Sequence, residues 1–302
     1  DLTGPRTPAS WSLVNYDNGV QHGNSPDAAS YADPMDEQPW GHEWSSEPKD
    51  CFRVVFANIG GFPVDWRDPK NEAIKHYFLA LNAQAIGLTE CNVHWKKIPA
   101  FARLHERTMG WFEALGVNTA YYEKYKAGSP FQPGGVSLWS IGVGVHRTQS
   151  TGQDPSGLGR WAWTRYRGRH GIHLRVVTAY RPVLNPSGAM SVWNQHKTHF
   201  EAKDDDRCPR DIFIVDILKE VQTWLEEGDQ IVIGIDANED VRTGKLAKAF
   251  RGEGLIELCT TRHGQNGPTT YDRGQRPIDG TFVTSTLLAS RCGGVGLDIV
   301  VY

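Results

Sequence analysis

Five side chains, Asn58, Glu90, Asp236, Asn238 and Asp279, stand where an apolar run gives way to a carboxylate or carboxamide. The runs are Phe52-Arg-Val-Val-Phe-Ala-Asn58, Ala85-Ile-Gly-Leu-Thr-Glu90 and Ile231-Val-Ile-Gly-Ile-Asp236-Ala-Asn238, followed later by Pro277-Ile-Asp279-Gly. Buried strands of an α/β fold have this composition, and their ends deliver polar side chains to one sheet edge. Hard oxygens gathered at such an edge could hold a divalent metal and a phosphate.

Glu90 is the metal candidate, because Mg²⁺ keeps several waters and takes only one or two protein carboxylates. The alternative is that Glu90 caps the loop after its strand. Asp236 and Asn238 are two apart, so on an extended strand both side chains point the same way; as common turn residues they could instead close a solvated turn. Tyr180-Arg181-Pro182 ends another apolar segment, where Arg181 suits bidentate phosphate contacts or the tripeptide makes a structural turn. Trp161, Trp163, Arg165, Arg167 and Arg169 share parity. That interleaving suits a nucleic-acid backbone, through charge and stacking, or an edge strand kept soluble by arginines with its tryptophans packed on a neighbouring loop.

The elements that must position these residues alternate from Cys51 onward. Asp68-Pro69 is a helix start, and Ile74, Tyr77, Phe78 and Leu81 share one face of that helix. Residues 84–90 read as a buried strand and 99–109 as a helix. Further strands are expected at 135–145, 161–167 and 172–180, and a helix from Cys208-Pro209 to near Glu227-Gly228 feeds the Asp236 strand. The letters contain no internal repeat.

The ordered set resembles the endonuclease/exonuclease/phosphatase superfamily over roughly residues 52 to 285. Asn58, Glu90, Tyr180-Arg-Pro182, Asp236-Ala-Asn238 and Asp279 match its pattern in order. The connecting strings Gln132-Pro-Gly-Gly-Val136, Gly157-Leu-Gly-Arg-Trp161, Cys208-Pro-Arg-Asp211, Glu227-Gly-Asp-Gln230 and Arg276-Pro-Ile-Asp-Gly280 look like endonuclease-type domains of retroelements and other mobile elements. The resemblance implies an α/β sandwich of two mixed β-sheets with helices on the outer faces, the deoxyribonuclease-like architecture. It also implies that Glu90 binds Mg²⁺, with Mn²⁺ as a substitute, and that Asn58 orients Glu90 or contacts phosphate. Asp236 would position or deprotonate the attacking water, Asn238 would hydrogen-bond phosphoryl oxygens, and Tyr180 and Arg181 would line the phosphate site.

In the superfamily the late Asp orients a His in a terminal Ser-Asp-His. No such tripeptide comes after Asp279 in the sequence to Tyr302; the last histidine is His263, and Asp298 is followed by Ile299. Either the His has been lost or this sequence ends short of it. Two functions are compatible with that. One is an Mg²⁺-dependent, DNA endonuclease-like phosphodiesterase with DNA as partner. The other is a catalytically inactive descendant, a structural or docking subunit that meets protein partners through its N- and C-terminal segments. A phosphatase acting on a lipid or inositol phosphate ranks behind both, because the connecting strings favour the mobile-element endonuclease branch, and no amphipathic stretch supports membrane binding.

The 302 residues suit one large α/β domain over 51–285, a polar N-terminal extension over 1–50 with the composition of a flexible tail, and a divergent segment over 286–302. A formal charge of −3 argues against a uniformly basic coat. No apolar run is long enough to span a bilayer, so the reading is a soluble chain without membrane insertion. The five cysteines form no Cys-x-x-Cys pair, which disfavours zinc and thioredoxin-like chemistry and leaves buried thiols as the expectation.

Overall fold

Alternation along the strands sets the layers of this computed structural model, which describes residues 51–125, 128–264, 269–270, 275–289 and 297–301. The 1–50 extension lies outside the described residues. The chain runs through β1 (Phe52–Asn58), α1 (Pro69–Ala80), β2 (Ala85–Thr89), α2 (Leu104–Thr108), β3 (Leu115–Ala120), β4 (Val136–Ile141), α3 (Val143–Arg147) and β5 (Thr148–Gln153). It continues through β6 (Trp161–Arg167), β7 (His173–Tyr180), α4 (Val192–Glu201), α5 (Pro209–Glu226), β8 (Gln230–Asp236) and α6 (Lys245–Gly252). β9 (Leu255–Glu257), α7 (Leu258–His263), β10 (Asp279–Thr284), α8 (Ser285–Ala289) and β11 (Leu297–Val301) complete it.

One sheet has the order β11-β1-β2-β4-β3 and the other β5-β6-β7-β8-β10-β9. Both are mixed: β1 is parallel to β11 and β2, and β7 to β8, while β2–β4 and β8–β10 are antiparallel. Val55 and Ala57 of β1 belong to the cluster that α1 covers with Ile74 and Phe78. Val54 and Phe56 face the opposite way and join Val176 of β7 and Val232 of β8 between the sheets. On the far side, Ile231, Ile233 and Ile235 of β8 pack against Phe213, Ile217 and Val221 of α5. The inter-sheet layer is thin near the polar strand ends, because Phe56 lies over two glycines. A Cβ on Gly234 would fall 2.1 Å from the Phe56 ring, and one on Gly87 would fall 2.6 Å from it.

Asp68 caps α1 through the Lys70 amide, with Pro69 in the first turn, as the sequence predicts. Residues 99–109 are not one helix. Ala102 and Leu104 are both buried, a spacing of two that no helix face provides, and Arg103 between them is extended at ψ 162°. The strand expected to reach residue 145 stops at Ile141, where Gly142, at φ +53°, turns the chain into α3. Cys91 is buried as expected, whereas Cys51, Cys208 and Cys259 are half-buried.

Part of the 286–302 segment is a strand of the domain. β11 runs parallel to β1 with Val301 opposite Phe56, so its C-terminal end is directed at the edge that carries Asn58. Among the described residues no helix is long and apolar enough to cross a membrane.

Candidate active site

Strand parity brings most of the polar candidates to one place. Asn58 follows Val54 and Phe56 on the inner side of β1, and Asp236 follows Val232 and Gly234 on the inner side of β8. Tyr180 stands opposite Asp236 in the β7–β8 register, and Asp279 stands opposite Asp236 in the β8–β10 register. Three adjacent strands of one sheet therefore present Tyr180, Asp236 and Asp279 side by side. Asn58 reaches them from the other sheet, its Nδ2 donating to Asp236 Oδ2 at 3.0 Å. The cleft between the sheets is lined by Asn58, Thr89, Thr178, Asp236 and Asp279.

Glu90 arrives differently. It lies one residue beyond β2, and its parity matches Ile86 and Leu88, which face α1. A left-handed backbone, φ +51°, breaks the alternation there. The Tyr180 hydroxyl hydrogen-bonds both Glu90 and Asn238, so the two sheets are tied a second time.

Asp236 and Asn238 do not point the same way from one extended strand. β8 ends at Asp236, and Asn238 is left-handed at φ +49°. The pair closes a turn, with the Asn238 amide N–H donating to Asp236 Oδ1 at 3.2 Å. Asn238 Nδ2 donates to the Arg181 carbonyl at 2.8 Å. Asn238 is thus a strut of the site, anchored to Tyr180 and to the Arg181 backbone.

Arg181 does not line an open phosphate site. It is 1% exposed, pairs with Glu239 at 2.7 Å and donates to the Arg210 carbonyl at 3.2 Å. Glu239 also takes the Leu246 amide, so Arg181 fastens the turn after β8 to α5 and α6. The aromatic and basic parity of β6 is real, but α5 covers it. Trp161 is fully buried against Phe213, Trp163 packs on Trp224 and under the Arg175 guanidinium, and Arg165 pairs with Asp229 at 2.8 Å. Only Arg167 and Arg169 of this set are exposed, and β6 is not an edge strand, because β5 lies outside it. A nucleic-acid patch on this face is therefore replaced by packing and buried ion pairs.

Two residues outside the predicted set also lie at the site. Thr270 Oγ1 accepts from the Ile278 and Asp279 amides at 2.9 and 3.0 Å and hydrogen-bonds the Asp279 carboxylate. Thr178 lies two residues before Tyr180, so strand parity could have found it.

Electrostatics follow from this crowding. Burial, then Asp279, then Glu90 push the Asp236 carboxyl well above the usual carboxylate range. Asp279 is pushed up to about 6 by burial, opposed by its Thr270 hydrogen bond and reinforced by Glu90. Burial and the Glu90 and Asp236 carboxylates raise the Tyr180 phenol, which stays neutral and donates a hydrogen bond to Glu90. The guanidinium nearest in sequence to Tyr180, Arg181, is already neutralised by Glu239.

Carboxylates that raise one another's proton affinity are a donor set suited to a hard divalent cation. Among the described residues no three or more His, Cys, Asp and Glu side chains gather into a group that could hold a metal ion.

The arrangement of strands and helices is shared with solved structures. An AP endonuclease from Leishmania major matches with a TM-score of 0.57 at 13% identity, over 78% of this chain and 80% of that one. The chain has the endonuclease/exonuclease/phosphatase fold. An AP endonuclease from Archaeoglobus fulgidus with this fold matches at a TM-score of 0.50 and 12% identity, over 78% of this chain and 88% of that one. No family model and no curated protein matches the sequence. In this endonuclease/exonuclease/phosphatase fold the edge that carries Asn58 and Asp236 is where the two sheets present their strand ends together.

Proposed function

We propose that this domain is a divalent-cation-dependent phosphodiesterase that hydrolyses the DNA backbone. The observation that carries the reading is the convergence of Asn58, Glu90, Tyr180, Asp236 and Asp279 from both sheets at one edge, with the carboxylates raising one another's proton affinity. The likeness to two AP endonucleases supports a nucleic-acid substrate. The order of the connecting strings from Gln132 to Gly280 supports the mobile-element branch.

Glu90 is the residue that would hold Mg²⁺ or Mn²⁺, which supplies charge to the phosphoryl oxygens and the leaving group. Asn58 and the Asn238 amide fix the two oxygens of Asp236. Its raised proton affinity suits Asp236 to take a proton from the attacking water. Tyr180 holds Glu90 in place, and Thr270 holds Asp279.

The test is nicking of supercoiled plasmid with Mg²⁺ or Mn²⁺ by the wild type, Glu90→Ala and Asp236→Ala. Cation-dependent nicking by the wild type that both substitutions abolish supports the reading. A folded wild type that nicks nothing supports a second one, an inactive docking subunit. One observation favours that alternative: the groups that interact with the Asp279 carboxyl among the described residues are Thr270, Glu90 and Asp236, and none is a histidine.

A further inference from the structure

The loop from Asn58 to α1 carries Trp66-Arg67-Asp68, and it is held by side chains that bind its backbone. Lys70 Nζ donates to the Ile59 and Gly61 carbonyls at 3.2 and 2.7 Å. Arg107 donates to those of Pro63 and Val64 at 2.6 and 3.0 Å. Asn71 Nδ2 lies 3.1 to 3.2 Å from the carbonyls of Asp65, Trp66 and Asp68. A loop tied at so many carbonyls presents its side chains in fixed positions.

What it presents is one wall of a cavity of about 430 Å³, bounded also by Phe101, Glu106 and Trp111. Trp66 is 48% exposed and Phe101 70% exposed. Large rings held in water by a rigid frame are poor for a monomer's solubility and good for stacking a flat ligand with little ordering cost. The volume falls within the roughly 300–1,000 Å³ of small-ligand clefts.

We propose that this cavity is a subsite for an unpaired nucleobase of the nucleic-acid substrate, an inference whose ligand class rests on the phosphodiesterase reading. Asp68, Glu72 and Glu106 on the wall repel phosphate, so the backbone is not what enters. A base edge carries both donors and acceptors and matches a wall that offers the Glu72 and Glu106 carboxylates beside the Arg67 guanidinium. The Arg67 guanidinium lies over one face of the Trp66 ring at 5.0 Å, so a base stacks on the other face or displaces Arg67, as an arginine-rich peptide would also have to. The loop leaves β1 directly after Asn58, and Trp66 follows eight residues later.

Binding without turnover tests this. The anisotropy of a short fluorescein-labelled single-stranded oligonucleotide is measured in EDTA with wild type, Trp66→Ala, Phe101→Ala and Trp66→Phe. The expected result is saturable binding that Trp66→Ala and Phe101→Ala each weaken about tenfold, as loss of one stacked base predicts, and that Trp66→Phe largely keeps. An abasic strand with the same backbone is expected to bind the wild type as weakly as the intact strand binds Trp66→Ala. No binding by the wild type, equal binding of intact and abasic strands, or unchanged binding in both alanine variants would overturn the proposal. A labelled arginine-rich peptide that binds more tightly than the oligonucleotide and is lost in Trp66→Ala would overturn it too. Plasmid nicking is read separately, so a protein that binds the base and cuts nothing refutes the phosphodiesterase reading while leaving the subsite standing.

Discussion

Asn58 and Asp236, 178 residues apart in sequence, are joined by a hydrogen bond of 3.0 Å that spans the two sheets at the mouth of the cleft. The same Asn58 accepts the Gly60 amide at 3.0 Å, so its side chain cannot turn away without exposing two polar groups. Asp236 is thereby held in one rotamer by a residue of the opposite sheet.

Removing that hold has a defined consequence. In Asn58→Ala, Asp236 keeps only the Asn238 amide and its proton affinity rises further, since the Asn58 bond favours the charged form. If the domain cleaves DNA, kcat is expected to fall on the order of 10²-fold with little change in KM, as misplacement of a reacting group does. The pH at which activity rises is expected to move upward. Steady-state kinetics over a range of pH on the folded variant checks both.

Asp279 links the site to stability. Its carboxyl titrates near 6 in the folded chain, against an ordinary 3.8, so the folded state binds more protons than the unfolded state between these values. Its contribution therefore favours folding at low pH and is lost as pH rises through about 6. Asp279→Asn removes this dependence. Without divalent cation, the variant is expected to be more stable than the wild type above pH 6, by on the order of 2–3 kcal/mol, with the difference shrinking toward pH 4. Urea unfolding across that range in EDTA measures it, and a wild type that tracks the variant at all pH values defeats the argument.

A cation should relieve the same repulsion. Adding Mg²⁺ at hundredfold excess over its dissociation constant is expected to stabilise the wild type by about 2.7 kcal/mol. The effect should be larger above pH 6 than at pH 5, because protons compete for Asp236 and Asp279. Glu90→Gln is expected to abolish most of it. Thermal melts with and without Mg²⁺ decide, and an equal shift in Glu90→Gln would remove Glu90 as the ligand.

What the letters conveyed about the site depended on which physical rule placed each residue. Asn58, Tyr180, Asp236 and Asp279 sit on strands, where a period of two fixes the face, and the structure brings all four together. Glu90 and Asn238 are left-handed, and no spacing rule announces a left-handed Glu; their convergence depends on the Tyr180 hydroxyl, a contact between distant segments. The run from Trp161 to Arg167 shows the opposite failure. Its parity is correct, but whether a face meets solvent or a helix is decided by where α5 packs, and Asp229 lies 64 residues from the Arg165 it neutralises. The helix expected across 99–109 failed locally, on the two buried neighbours of Arg103.

Arg181 separates a structural role from a phosphate contact. Its guanidinium is enclosed, with Glu239 at 2.7 Å and carbonyls of Arg210 and Ala237 at 3.2 and 3.5 Å. Arg181→Met leaves Glu239, itself 17% exposed, with only the marginal Arg210 contact at 3.5 Å and the Leu246 amide. Breaking a buried pair from one side costs about 3–5 kcal/mol, and the partial exposure of Glu239 places this one near the lower end. Since Arg181 does not reach the cleft, KM for a nucleic-acid substrate is expected to stay within about twofold at temperatures where the variant is folded, whereas loss of a charged phosphate contact of about 1.5–3 kcal/mol would raise it more than tenfold. Adding Glu239→Gln to Arg181→Met should cost less than the sum of the two single changes, because the second substitution removes the carboxylate that the first one strands. A double-mutant cycle by urea unfolding, with KM measured in parallel, gives both quantities; additive stabilities together with a raised KM would return Arg181 to the phosphate site.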